Sequence, residues 1–210
     1  FDLEEENQIF EKDGLDAYYK YQLENEDKSL KKGTGYRLVE NILKINSFFS
    51  SDERQVEVII LSKNNAATSL RITNAINDLK LDIIRSAWTS GTNISNYLKA
   101  FKVDLFLSAD DNDVLNAIEN GVAAAKILHS NENINNSSNN QVRIAFDGDA
   151  VLFSEESELV YKNHGLEAFI EHEKENRNNP LEMGPFAKLL LTIAKIQAKF
   201  PTDKSPIRTA

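Results

Sequence analysis

The chain has 210 residues, 41% of them hydrophobic, and 33 acidic against 24 basic side chains give a net charge of -9. This is apolar enough for one large or two modest packed cores, which excludes a disordered chain, and acidic enough to argue against a nucleic-acid scaffold, whose mark is a basic face. The absence of cysteine removes disulfides, thiolate nucleophiles and cysteine-based zinc sites together.

From Val56 onward, strand and helix patterns alternate. "VEVIILS" (56 to 62) is a β-branched run, and 65 to 80 places Leu70, Ile72, Ala75, Ile76 and Leu79 at helical spacing. Residues 82 to 90 read as a strand despite Arg85, 93 to 101 as a helix, 103 to 108 as a strand, 110 to 120 as a helix closed by Gly121, and 122 to 128 as a strand. Such alternation predicts a Rossmann-like parallel sheet wrapped by helices. "HSNENINNSSNN" has almost nothing to bury, so 129 to 141 is expected to be a linker between an N-terminal half (1 to 128) and a C-terminal segment (142 to 210). A strand at 142 to 147 follows, then helices near 155 to 164, 165 to 178 and 186 to 199, expected to lie over the strand end as a lid.

The chain also repeats itself. Residues 14 to 49 align without a gap on 165 to 200, with twelve identities in 36 positions, among them Gly14 with Gly165, Asn25 with Asn176 and Gly33 with Gly184. Phe1-Asp2 and Phe146-Asp147 stand upstream of the two copies, a register that sets Glu4 where the second copy has Asp149 and makes the first copy the degenerate one.

The stretch "VRIAFDGDAVLFSEE" (142 to 156) sets two carboxylates, Asp147 and Asp149, at the end of an apolar strand. Like charges so placed oppose folding unless a cation or a proton lies between them. Asp-Gly is also an ordinary turn signal, but the apolar runs "VRIAF" and "AVLF" on either side favour a strand-end site. There Asp147 is placed to attack phosphorus beside a magnesium ion. Asp149, facing the same way by strand alternation, is placed to act as acid and base. Gly148 is expected to relieve crowding between them.

"FDGDAVLFSEESE" resembles motif I of the haloacid dehalogenase superfamily, an Asp-x-Asp-x-Thr/Val pattern after an apolar strand, with Val151 in the last place. Together with "GLEAFIEHE", "PLEMGPF" and "YLKAFKVDLFLSA", it resembles the cytosolic 5'-nucleotidase type I family over nearly the whole chain. The resemblance implies magnesium-dependent hydrolysis of nucleoside 5'-monophosphates. Asp147 would form an aspartyl-phosphate, Asp149 would be the acid/base, and Mg2+ would be held by the Asp147 carboxylate and the Asp149 backbone carbonyl. A cytoplasmic location is expected, since no apolar run is long enough to span a bilayer and no leader opens the chain, and a homo-oligomer is left open.

The superfamily also uses a later Ser or Thr, a Lys and further acids, which do not appear in the 61 residues after Asp149. Either the natural chain continues past Ala210, the simpler expectation, or the first half supplies Ser62, Lys99 and Asp110 or Asp111. Ser62 reads as a helix cap, and Asp110 and Asp111 as the charged first turn of a helix. Two rival functions follow: a nucleotide-binding or regulatory module without turnover, and a phosphatase for another small phosphate ester.

The other signals are bland. His172-Glu173 opens like a zinc-protease signature, but Asn176 stands where the second ligand would be, and His129 and His164 read as surface residues. "GTG" at 33 to 35 reads as a helix start, Asn64, Asn65 and Arg71 as capping and solvated groups, and Trp88 and Phe106 as core.

Overall fold

The computed structural model describes residues 1–128 and 140–210, with the side chains of 149 and 150 left aside. The expected linker therefore lies almost wholly outside the described residues, as does His129. Packing divides the chain into one unit of residues 1–96 and 127–142 and a second of 97–126 and 143–210. The segment 97–126, assigned by sequence to the N-terminal half, thus packs with the C-terminal residues.

The first unit opens with α1 (Glu4–Glu24), two helical arms joined at Gly14, followed by α2 (Tyr36–Lys44), β1 (Ile59–Ser62), α3 (Leu70–Asp78) and β2 (Arg85–Trp88). β1 and β2 are parallel, with Ile59 opposite Arg85 and Ser62 opposite Trp88. Between them runs α3, as a parallel crossover requires. Its Ile72, Ala75 and Ile76 share one face and are buried with Leu30, while Ile60, Leu81, Ile83 and Trp88 pack around them. Leu70, expected on that face, is 43% exposed because it is the first residue of the helix. Arg85 is tolerated at the start of β2 because it is exposed there and its Nε donates to Glu57 Oε1 at 2.6 Å.

α1 is fastened to this unit by polar contacts. Arg71 of α3 is nine-tenths buried and pairs with the buried carboxylate of Glu6, while its Nε donates to Lys28 O at 2.9 Å. Tyr18 OH donates to Asn64 Oδ1 at 3.0 Å and accepts from Gln22 Nε2 at 3.0 Å. Removing one partner of a buried pair leaves the other charge uncompensated. Glu6→Ala is therefore expected to cost about 3–5 kcal/mol, read by chemical denaturation against the unchanged chain.

The second unit contains β3 (Phe106–Ser108), α5 (Asp111–Glu119) and β4 (Ala124–Lys126), with α4 (Ser95–Leu98) and β5 (Val142–Ile144) at the boundary. α6 (Glu156–Asn176), α7 (Ala187–Gln197) and β6 (Ile207–Thr209) complete it. β3 and β4 are parallel, and β5 pairs with β6. The chain is therefore mixed α/β, built on small parallel pairs where one wrapped sheet was expected.

Within α6 the two predicted helices, 155 to 164 and 165 to 178, meet at Gly165 (φ 82, ψ -176), where the backbone leaves the helical region, and the two arms of α1 meet in the same way at Gly14 (φ 84, ψ -175). This region of backbone space belongs essentially to glycine. A Cβ at Gly165 would meet no atom within 4 Å, so only the dihedral strain opposes it. Gly165→Ala should cost about 1–3 kcal/mol, read as a lower melting temperature.

The likeness extends beyond the bend, at a constant offset of 151 residues. Phe10 and Tyr18 stack edge to face at 6.0 Å, as do Tyr161 and Phe169 at 6.1 Å. Asn25 Nδ2 donates to Tyr21 O at 2.7 Å, and Asn176 Nδ2 to His172 O at 3.0 Å. Tyr36 N–H donates to Gly33 O at 3.0 Å, and Ala187 N–H to Gly184 O at 3.2 Å.

Candidate active site

β5 ends at Ile144, and two backbone bonds hold its exit against the end of β6. Ala210 N–H donates to Ile144 O at 3.0 Å and Phe146 N–H to Ala210 O at 2.9 Å, the offset pattern of a parallel ladder. The Phe146 ring meets Phe186 edge on at 6.4 Å. Asp147 follows in extended conformation (φ -71, ψ 150), and its side chain is exposed. A carboxylate is thus delivered to the C-terminal edge of the strands, where open α/β sheets bind ligands.

Strand geometry then stops. Gly148–Leu152 forms a π-helical turn, and Phe153 N–H closes it on Gly148 O at 3.0 Å. The strand alternation expected to aim Asp149 alongside Asp147 does not hold, because Asp149 is the second residue of this turn. The Asp149 side chain lies outside the described residues. Gly148 is not needed for steric relief among the described residues: a Cβ there would touch only the Phe153 ring, at 3.9 Å. π-turns inside a fold recur at functional sites, where the wide turn changes the direction of the backbone.

The segment returning from α6 clamps this turn. Ser154 N–H donates to Glu182 O at 2.8 Å, Gly184 N–H to Leu152 O at 2.8 Å and Phe186 N–H to Val151 O at 3.0 Å. Phe153 and Met183 form an antiparallel bridge. Gly184 is required by close approach: a Cβ there would fall 2.5 Å from Val151 O and 2.9 Å from the Leu152 carbonyl carbon. The helical insertion therefore begins at the turn and ends on it.

In the first unit Asp2 N–H donates to Lys31 O at 3.0 Å, and a Cβ at Gly33 would fall 2.5 Å from Phe1 O. These are the relations of Ser154 to Glu182 and of Gly184 to the turn. The hydrogen bonds thus seat Phe1-Asp2 as they seat Phe153-Ser154, and not as Phe146-Asp147. Pairing Glu4 with Asp149 loses its basis: the Glu4 N–H donates to Asp2 Oδ1 at 3.1 Å and Glu4 begins α1.

The other candidate residues have local work. Ser62 Oγ, in the first unit, accepts from Asn64 N–H at 3.2 Å, and Asn65 Oδ1 accepts from Thr68 N–H at 2.9 Å, so Asn65 rather than Ser62 caps the turn before α3. Asp110 caps α5 by accepting from Asp113 N–H at 2.9 Å, and Asp111 pairs with Lys126 at 2.8 Å. Lys99 is exposed just after α4. Asn64 and Arg71 are engaged by Tyr18 and Glu6 inside the first unit. Among the described residues, no group of three or more acidic or histidine side chains is arranged to hold a metal ion. The clamping role of Gly184 is the feature that reading the sequence missed, although its identity with Gly33 across the repeat was the signal for it.

Fold and site define an α/β protein that presents a carboxylate at a strand end beside a turn locked by a helical insertion. Over residues 1–210 the chain matches the model of a family described as 5'-nucleotidase. It is 33% identical over 217 residues to the human protein Cytosolic 5'-nucleotidase 1B, an alignment covering 100% of this chain and 35% of that protein. The chain therefore belongs to the 5'-nucleotidase family, and it spans about a third of the length of that relative, 35%. No solved structure matches it.

Proposed function

We propose that the chain carries the nucleophile of a cytosolic phosphohydrolase of the haloacid dehalogenase type, acting on nucleoside 5'-monophosphates. The observation that carries this reading is the exposed Asp147 carboxylate at the β5 exit, next to the clamped π-turn, in a chain of the 5'-nucleotidase family. An Asp147 carboxylate oxygen forms a bond to phosphorus as the bond from phosphorus to the 5' oxygen breaks. Asp149, protonated, gives its proton to the leaving nucleoside oxygen and then takes one from water, which attacks the aspartyl-phosphate, releases phosphate and restores Asp147.

The donor set fits magnesium. That ion keeps several waters and takes only one or two carboxylates from protein, and the Asp147 carboxylate and the Asp149 backbone carbonyl would be among its ligands. Bound there, Mg2+ would supply charge neutralisation of the phosphate oxygens. No described helix is long and apolar enough to cross a membrane.

The repeated geometry of α1 and α6 supports a second part of the reading: the two segments are copies of one helical hairpin, the second of them mounted on the π-turn. Phosphate release from AMP, IMP, CMP, their deoxy forms and a sugar phosphate tests the substrate class. Turnover of the sugar phosphate alone would replace nucleotides by another phosphate ester.

A further inference from the structure

The clamp on the π-turn leaves an apolar pair facing solvent. Phe153 and Met183 lie opposite each other in the antiparallel bridge. Gly184 N–H donates to Leu152 O and Ser154 N–H to Glu182 O, so the hydrogen bonds flank the pair and do not join it. In a pair of that kind the two side chains share one face and stand closer together than in a hydrogen-bonded pair. Phe153 is nevertheless 43% exposed and Met183 65%. The ring is also set against the site: a Cβ on Gly148, the residue after Asp147, would lie 3.9 Å from Phe153 Cδ2 and Cε2. An exposed aromatic edge therefore borders the residue next to the nucleophile.

The first hairpin fills the same places otherwise. Phe1 takes the seat of Phe153, and at the 151-residue offset Lys32 takes that of Met183. Phe1 packs against the cluster of Leu30, Ile72, Ala75 and Ile76, and Lys32 Nζ lies 4.2 Å from the centre of the Tyr36 ring. A hairpin of this design can thus bury its phenylalanine in a core. Beside Asp147 the ring stays open and its neighbour is apolar.

We propose that Phe153 and Met183 form the platform on which the base of the nucleoside monophosphate rests, Phe153 stacking on it and Met183 flanking it. This deepens the proposed function and rests on it: a nucleotide with its 5'-phosphate at Asp147 has its base within reach of this rim of the turn. Every base offers a π face, so stacking on an aromatic side chain tolerates all of them. A thioether is polarizable and adapts its shape, which suits it to purine and pyrimidine alike. Such a platform selects a nucleotide over a bare sugar phosphate without reading which base is present, and by contact area it favours the larger purine.

Calorimetric binding of AMP, CMP and ribose 5-phosphate to the whole chain tests the platform, beside melting curves. The unchanged chain should bind AMP more tightly than ribose 5-phosphate. Phe153→Ala should weaken AMP about 5- to 100-fold, CMP by less, and ribose 5-phosphate hardly at all, whereas Phe153→Trp should keep the preference for a base. Met183→Ala should cost less than Phe153→Ala, since a thioether has no face to stack on. Unaltered AMP affinity in Phe153→Ala overturns the platform, and with a lowered melting temperature it would show that protein, not a base, covers the pair. An equal loss for AMP and ribose 5-phosphate overturns it too, because the ring would then only support the turn. Base-dependent binding without phosphate release would count against the proposed function and leave the platform standing. Phosphate release from AMP that is indifferent to Phe153→Ala would do the reverse.

Discussion

Asp147→Asn is expected to lower phosphate release from the preferred nucleoside monophosphate by about 10^4-fold or more, with the fold unchanged. An amide of the same shape cannot attack phosphorus as a carboxylate does, and loss of a nucleophile removes most of the chemical acceleration while leaving ground-state binding. Asp147 is exposed beyond the end of β5, and no hydrogen bond or ion pair within the described residues uses its carboxylate, so nothing in the core depends on its charge. The measurement is single-turnover hydrolysis beside a melting curve. Normal turnover in the variant removes Asp147 from the mechanism, whereas a large fall in melting temperature would show a structural role instead.

The second large effect is expected at Gly184. Alanine there would drive a Cβ into the Val151 and Phe153 carbonyls, both backbone groups of the turn that cannot rotate aside. Relief requires the segment 182–186 to retreat from 151–154, which stretches three backbone hydrogen bonds, those from Ser154, Gly184 and Phe186. Overpacking and lost hydrogen bonds together should cost about 2–4 kcal/mol. Activity should fall by more than the loss of folded protein explains, because the displaced turn carries Asp149. Gly33→Ala is the control, since its Cβ would press on Phe1 and Asp2 in the first unit. It should lower stability and leave the rate per folded molecule near normal. Equal rates per folded molecule in both variants would show that the clamp does not position the turn.

Much of this was legible because it is written in local pattern. The β-branched run ending at Ser62 and the apolar positions 72, 75 and 76 gave β1 and α3, since periodicity reflects which face must be buried. The two aspartates after "VRIAF" marked a strand end, and Asp147 stands at one. Repeat identities at Gly14 and Gly165 pointed to equivalent places, and both prove to be bends that other residues resist. The two helices expected at 155 to 164 and 165 to 178 are the two arms that meet at Gly165, since glycine is the residue that lets the backbone leave the helical region there.

By itself the sequence determined the α/β alternation, the family, and the carboxylate at a strand end, because each depends on residues close together in the chain. Only the tertiary structure decided that Asp149 rides on a π-turn, that Gly184 locks the turn from thirty-odd positions away, and that Phe1-Asp2 sits as Phe153-Ser154 does. Those outcomes are fixed by backbone hydrogen bonds between distant segments. Such bonds are made by groups that every residue carries, and so leave little trace in the identity of the side chains.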